Sequence, residues 1–80
     1  MQLSKTLKIT RQKAFMSQEE FANKMGVSVS TINRWETGKS KPNLSAMKKI
    51  KEFCNDNKLS FEIIEKEWFA NSVEESNLDD

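Results

Sequence analysis

The chain has 80 residues, of which 36% are hydrophobic and 31% are charged, a balance that suits one small soluble domain. It contains no histidine and a single cysteine, so nucleophile–histidine catalysis and an internal disulfide are excluded. A structural zinc site of the usual kind is almost excluded for the same reason. The net charge of +1 conceals a division: residues 1–55 carry eleven Lys/Arg against four Asp/Glu (net +7), and residues 56–80 carry two against eight (net −6).

This division of charge has two interpretations: a polyanionic partner for the basic part, or an excess of lysine on solvated helix faces. The longest apolar stretches are only a few residues long, so we expect no membrane-spanning segment. The N-terminal residues lack the apolar core of a secretory signal, and we expect a cytoplasmic protein. The acidic residues lack metal-ligand spacing and the methionines are dispersed, so we expect neither a metal nor a cofactor.

Helical spacing recurs five times along the chain, whereas the signals for strands are poor, so the sequence predicts an all-α fold. In the first predicted helix the inward-facing residues recur at i, i+4, i+7 and i+11: Leu3, Leu7, Thr10 and Ala14. A second helix is predicted over residues 18–25. Ser17 and Glu20 form a capping-box pattern at its start, and Gly26 stands where a left-handed residue ends a helix easily.

A third helix follows almost at once, because Ser28 is the next helix cap. It is predicted over residues 29–37, with Ile32 and Trp35 turned toward the core. Its outward face carries side chains that can meet base edges in a DNA major groove. These candidates for base contact are Val29, Ser30, Asn33 and Arg34.

The remainder of the chain predicts a loop over residues 39–43, where Pro42 disfavours helix, and then a fourth helix over residues 44–55. Its core side is predicted to hold Leu44, Met47, Ile50, Lys51 and Cys54, with Phe53 beside them. Ser60 is predicted to cap a fifth helix, whose shared face holds Phe61, Ile64 and Trp68. We expect one domain over residues 1–70 and an acidic, flexible tail over residues 71–80.

The aromatic pair Trp68 and Phe69 has two interpretations. It either closes the core beneath the fifth helix or forms an apolar patch for a second subunit or another protein.

The short motifs of the second and third helices resemble one known family, the phage repressor/Cro-type or XRE-family helix-turn-helix proteins. The motifs are Ser17-Gln18-Glu19-Glu20-Phe21-Ala22, Gly26-Val27-Ser28, Ser30-Thr31-Ile32-Asn33-Arg34-Trp35-Glu36-Thr37-Gly38-Lys39, and Pro42. The resemblance covers about residues 3–64. It implies a five-helix, repressor-like DNA-binding domain in which the second helix crosses the DNA backbone and the third enters the major groove.

The resemblance also implies roles for individual residues. Arg11 and Glu36 match a structural salt bridge. Besides the base-contact candidates, it marks residues expected to approach the DNA backbone: Gln18, Ser28, Lys39, Lys41 and Asn43.

Two positions depart from the family pattern. The turn Ala14-Phe15-Met16 lacks the glycine that is common there. Val29 replaces a frequent Gln or Arg, and a valine can only pack, for instance against a thymine methyl, so specificity should rest more on Asn33 and Arg34.

The sequence therefore predicts a non-enzymatic, sequence-specific double-stranded DNA-binding protein, a repressor-like transcriptional regulator for which a homodimer is one expected form. The alternative is an antitoxin or accessory module that uses the same fold to hold a protein partner through Trp68 and Phe69.

Overall fold

A computed structural model describes the backbone of residues 2–79 and the side chains of residues 3–70. Within this part of the chain there are five helices and no strands. The helices are α1 (Gln2–Lys13), α2 (Gln18–Met25), α3 (Val29–Glu36), α4 (Leu44–Asp56) and α5 (Glu62–Asp79). The prediction of an all-α fold is confirmed. The predicted acidic tail lies outside the residues whose side chains are described, and its flexibility stays a prediction.

The boundaries of α2 follow from its capping residues. The Ser17 Oγ accepts a hydrogen bond from the Glu20 backbone N–H at 3.1 Å, and the Glu20 carboxylate accepts one from the Ser17 N–H at 2.8 Å. At the other end Gly26 takes the left-handed conformation with φ 72°. A residue without Cβ adopts this conformation with little strain, so the predicted capping box and glycine stop are both confirmed.

The core is built from one or more apolar side chains of every helix. The fully buried members include Leu7 of α1, Phe21 of α2, Ile32 of α3, Phe53 of α4 and Ile64 of α5. The Phe21 and Phe53 rings meet edge to face with centroids 5.0 Å apart, which joins α2 to α4. Burial of these side chains positions the short α3 on the surface of a rigid support.

The predicted core face of α4 was wrong in part. Leu44 is 62% exposed and Lys51 is exposed, whereas Ala46, which was not predicted to face the core, is buried. The predicted burial of Met47, Ile50, Phe53 and Cys54 is confirmed. The helix is therefore rotated so that the face with Ala46, Ile50 and Phe53 meets the core.

Burial also raises the pKa of the Cys54 thiol by desolvation, which keeps it protonated and unreactive.

Two smaller predictions also need correction. Helix α3 ends at Glu36, with Thr37 as its C-cap, one residue earlier than predicted. Helix α5 begins at Glu62, and the Phe61 carbonyl accepts the first helical hydrogen bond from the Glu65 N–H at 2.9 Å. Phe61, and not Ser60, therefore stands at the N-cap position.

The turn between α1 and α2 has an unusual backbone. Phe15 takes a left-handed conformation with φ 57°, although its side chain is 95% exposed. This is the region that glycine adopts most easily. The turn thus keeps a glycine-like path without glycine, at a steric cost of about 1–2 kcal/mol for an L-residue.

Candidate nucleic-acid interface

Helix α3 presents two different faces because its apolar residues recur at helical spacing. Ile32 and Trp35 are buried, and they fix the helix against the core. All four base-contact candidates are exposed on the other side: Val29, Ser30, Asn33 and Arg34. The Ser28 Oγ caps the helix by accepting from the Thr31 N–H at 3.2 Å. The arrangement is a protruding helix with hydroxyl, amide, guanidinium and methyl groups in one row.

Beneath this helix lies a polar network that joins α1, α2 and α3. Arg11 donates from Nε to Glu36 Oε2 at 2.7 Å and from Nη2 to Glu36 Oε1 at 3.0 Å. The two side chains are only 10% and 3% exposed. The Arg11 Nη1 also donates to the Met16 carbonyl oxygen at 2.8 Å, which ties down the turn that precedes α2. The structure thus pairs the two residues for which the resemblance implies a salt bridge.

Gln18 completes this network. Its Nε2 donates to Glu36 Oε1 at 2.9 Å, so the first residue of α2 is connected directly to the last residue of α3. Sequence reasoning gave Gln18 a phosphate contact and a role in steadying the third helix. The hydrogen bond supplies a physical basis for the second role, and the Nε2 keeps a second hydrogen that can serve a phosphate.

The C-terminal end of α3 is joined to the loop that follows it. The Arg34 carbonyl accepts from the Lys39 N–H at 2.9 Å, and the Arg34 Nη2 lies 3.5 Å from the Lys39 carbonyl oxygen. The Thr37 Oγ1 donates to the Asn33 carbonyl at 2.8 Å. These bonds hold the backbone of Lys39 against Arg34, one of the base-contact candidates.

The loop over residues 39–43 is held at its far end as well. The Asn43 Oδ1 caps α4 by accepting from the Ala46 N–H at 2.9 Å, and Pro42 is buried. Lys41 is half-buried, with its Nζ 5.4 Å from the centroid of the Trp68 ring. Of the two loop lysines predicted to approach the DNA backbone, Lys39 is thus the more exposed.

Sequence reasoning missed a bond between this loop and α5. The Trp68 Nε1 donates to the Pro42 carbonyl oxygen at 2.6 Å. The two residues are separated by 26 positions, and no local pattern relates them. Trp68 therefore forms a hydrogen bond within its own chain. The prediction of an interaction patch at Trp68 did not include this bond.

A second missed contact lies at the end of α2. The Lys49 Nζ donates to the Met25 carbonyl oxygen at 3.2 Å. The carbonyls of the last helical turn lack partners within the helix and carry partial negative charge, so a lysine from α4 stabilises this end. The lysine run of α4 therefore contains at least one residue with a structural contact.

An apolar groove of about 150 Å³ runs between α4 and α5. Phe69, which is 53% exposed, stands beside it and packs edge to face on Trp68 at 5.1 Å between ring centroids. Lys48 and Lys51 border the groove on the α4 side. Trp68 and Phe69, the residues of the predicted patch, both line this groove, and its use as an interface stays a prediction.

A capped helix pair joined by a tight turn, with the second helix protruding from the core, defines a helix-turn-helix domain. The family model described as helix-turn-helix matches residues 7–60. The chain belongs to the XRE-type helix-turn-helix family of DNA-binding proteins, and the resemblance seen in the sequence is confirmed.

The chain is also similar to the type II methyltransferase M.SsoII of Shigella sonnei, with 37% identity over 54 residues. The match covers 64% of this chain and 14% of the methyltransferase. No solved structure shows significant similarity to the chain. Within the described residues, no helix has the length and apolarity needed to cross a membrane.

Proposed function

We propose that this protein is a sequence-specific double-stranded DNA-binding regulator of transcription, of the repressor type, that inserts α3 into the major groove. The observation that supports this most directly is the row of exposed residues on α3, held from beneath by Arg11, Glu36 and Gln18. A rigid helix of this width fits the major groove, where each base pair presents a distinct pattern of donors and acceptors.

Base recognition is assigned mainly to two residues. Arg34 can donate two parallel hydrogen bonds to guanine, and Asn33 can pair with the edge of adenine. Ser30 offers a hydroxyl beside them. Val29 is exposed and has no polar atom in its side chain, so its contribution is contact with a thymine methyl.

Contact with the DNA backbone is assigned to residues at the start of α2, at the N-cap of α3 and in the loop that follows α3: Gln18, Ser28, Lys39, Lys41 and Asn43. Asn43 uses its side-chain oxygen as a helix cap, so it would meet a phosphate with its amide N–H groups. The Ser28 Oγ caps α3 and shares a 3.0 Å hydrogen bond with the Thr31 Oγ1, so its O–H would turn from Thr31 to a phosphate. Such contacts fix orientation without reading sequence. Affinity should therefore fall steeply as salt rises, because every neutralised phosphate releases counterions.

The experiment that tests the proposal is in-vitro selection of random duplex DNA by the purified protein. We expect enrichment of a short consensus, and a palindromic one if two copies bind together. Recovery of duplexes without any shared sequence, at affinities equal to those of unselected DNA, would contradict sequence-specific binding.

We propose a non-catalytic role. The similarity to a type II methyltransferase covers 14% of that enzyme's length, which favours a shared small module over a shared reaction. The proposed site contains no cysteine or histidine nucleophile. Methyl transfer to duplex DNA by the purified chain, in the presence of a methyl donor, would contradict this assignment.

A homodimer in the cytoplasm is the form that we propose for the regulator. Two copies would place two α3 helices on successive half-sites of a palindrome. The apolar groove and the exposed Phe69 support an interface on the α4–α5 side. Light scattering should then report two chains for the wild type and one for Phe69→Asp at the same concentration, and one chain in both samples would exclude the dimer.

The same groove favours a second candidate function, an antitoxin or accessory module that holds a protein partner. Phe69→Ala is the suitable variant for this test, because changing Trp68 also removes a bond to the chain's own loop. Partner capture that depends on Phe69 and not on Arg34 would favour the interaction module. Capture that depends on neither residue would count against this use of the groove.

A further inference from the structure

Trp68 connects the C-terminal helix to the middle of the loop that approaches DNA. Its Nε1 donates to the Pro42 carbonyl oxygen at 2.6 Å, and its ring lies 5.4 Å from the Lys41 Nζ. One side chain thus contacts two consecutive loop residues, one through the backbone and one through the side-chain ammonium. The indole also packs against the core, so its position is set by α5.

The loop is anchored at both ends by other bonds. At its start the Lys39 and Ser40 N–H groups donate to the Arg34 carbonyl oxygen, at 2.9 and 3.3 Å. At its end Asn43 caps α4. Trp68 binds the loop between these two anchors, through its hydrogen bond to the Pro42 carbonyl oxygen. The three attachments come from α3, α4 and α5, which gives the loop a defined shape on the domain surface.

We infer that Trp68 is a positioning residue for DNA binding, which holds the loop over residues 39–43 in the shape that contacts phosphate. The inference rests on the proposed function. A loop that is ordered before DNA arrives loses less conformational entropy on binding. Because phosphate contacts are the same for every sequence, Trp68 sets overall affinity and salt dependence and leaves base preference unchanged.

The test uses Trp68→Phe, which keeps an aromatic ring against the core and removes the N–H donor. Binding of the full chain is measured by fluorescence anisotropy over a series of salt concentrations. The probes are the duplex enriched by in-vitro selection and a scrambled duplex. We expect about fivefold weaker binding to both duplexes, the effect of one hydrogen bond. The slope of log affinity against log salt is negative, and its magnitude should decrease by about one, the effect of losing one phosphate contact.

Ile64→Val is the matched control. Ile64 is a fully buried residue of the same helix, and its truncation lowers stability while the Trp68 N–H donor to the loop is kept. Both variants are assayed well below their melting temperatures. A purely structural role for Trp68 would make the two variants alike in affinity and in salt slope, and that result would overturn the inference.

A double-mutant cycle with Lys39→Ala provides a second readout. If Trp68 acts through the loop, loss of the Lys39 ammonium should weaken binding less in the Trp68→Phe background than in the wild type. Additive effects would contradict coupling between the two residues. In the wild type, the Trp68 indole N–H resonance should also shift when duplex is added, and an unchanged resonance at saturation would oppose the inference.

The outcomes separate this inference from the proposed function. Wild-type protein that fails to bind any duplex overturns both. Wild-type protein that binds a consensus with the expected salt dependence, together with a Trp68→Phe variant of unchanged affinity and slope, overturns the role of Trp68 alone.

Discussion

Glu36 receives two hydrogen bonds from the Arg11 guanidinium, at 2.7 and 3.0 Å, at a site where the glutamate side chain is only 3% exposed. This pair connects the end of α3 to α1. Gln18 adds a third bond to the same carboxylate from α2. The geometry of the helix-turn-helix thus depends on the buried carboxylate of Glu36.

Loss of Arg11 should therefore destabilise the domain strongly. In Arg11→Met the Glu36 carboxylate stays buried without its cationic partner, and the free energy of unfolding should fall by about 3–5 kcal/mol. Urea denaturation followed by circular dichroism measures this change. The double variant Arg11→Met/Glu36→Leu should recover part of the loss, because neither charge is then left buried. A single variant within about 0.5 kcal/mol of the wild type would contradict the assigned role.

Arg34→Ala tests base recognition. If the guanidinium contacts a base edge, affinity for the selected duplex should fall by about 1–3 kcal/mol and preference at one base pair should relax. Lys66→Ala is the control, since it removes one positive charge from an exposed position of α5. A uniform loss on all sequences would show instead that Arg34 contacts phosphate.

Phe15→Gly should stabilise the domain. The residue has φ 57° and a side chain that is 95% exposed, so removal of the Cβ relieves strain and sacrifices almost no packing. Glycine also increases the conformational entropy of the unfolded chain, which offsets part of this gain. The free energy of unfolding should therefore rise by about 0.5–1 kcal/mol. Thermal denaturation should show a melting temperature a few degrees higher, whereas Phe15→Ala, which keeps the Cβ, should not. A lower melting temperature for the glycine variant would disprove the strain.

Lys49→Met should weaken the C-terminal end of α2. The variant keeps the length of the side chain but loses the bond from Nζ to the Met25 carbonyl oxygen. We expect the free energy of unfolding to fall by about 1 kcal/mol. The neighbouring exposed Lys48 provides the comparison, and equal effects of Lys48→Met and Lys49→Met would argue against a specific cap.

The acidic segment over residues 71–80 supports a prediction from charge alone. If it competes with DNA for the basic part of the chain, deletion of these residues should tighten DNA binding at low salt. The difference should disappear at high salt, where exposed charges are screened. Anisotropy titrations of the two proteins measure it, and identical affinities at low salt would reject the competition.

The sequence by itself determined the features that depend on near neighbours. Helix caps form hydrogen bonds within one helical turn, so their patterns are visible in the sequence. They predicted the start of α2 at Ser17 and Glu20, its end at Gly26 and the start of α3 at Ser28. The alternation of Ile32 and Trp35 with polar residues likewise determined which side of α3 faces outward. These are short-range effects of backbone hydrogen bonding and helical period.

Only the tertiary structure decided the features that depend on how helices rotate and meet. Periodicity placed Leu44 on the core side of α4, whereas the helix buries Ala46 and leaves Leu44 exposed. The bond from Trp68 to the Pro42 carbonyl joins residues 26 positions apart, and neither sequence interpretation of Trp68, core closure or interaction patch, included it. The physical reason is that such contacts arise from packing of the whole domain, for which a local pattern carries no signal.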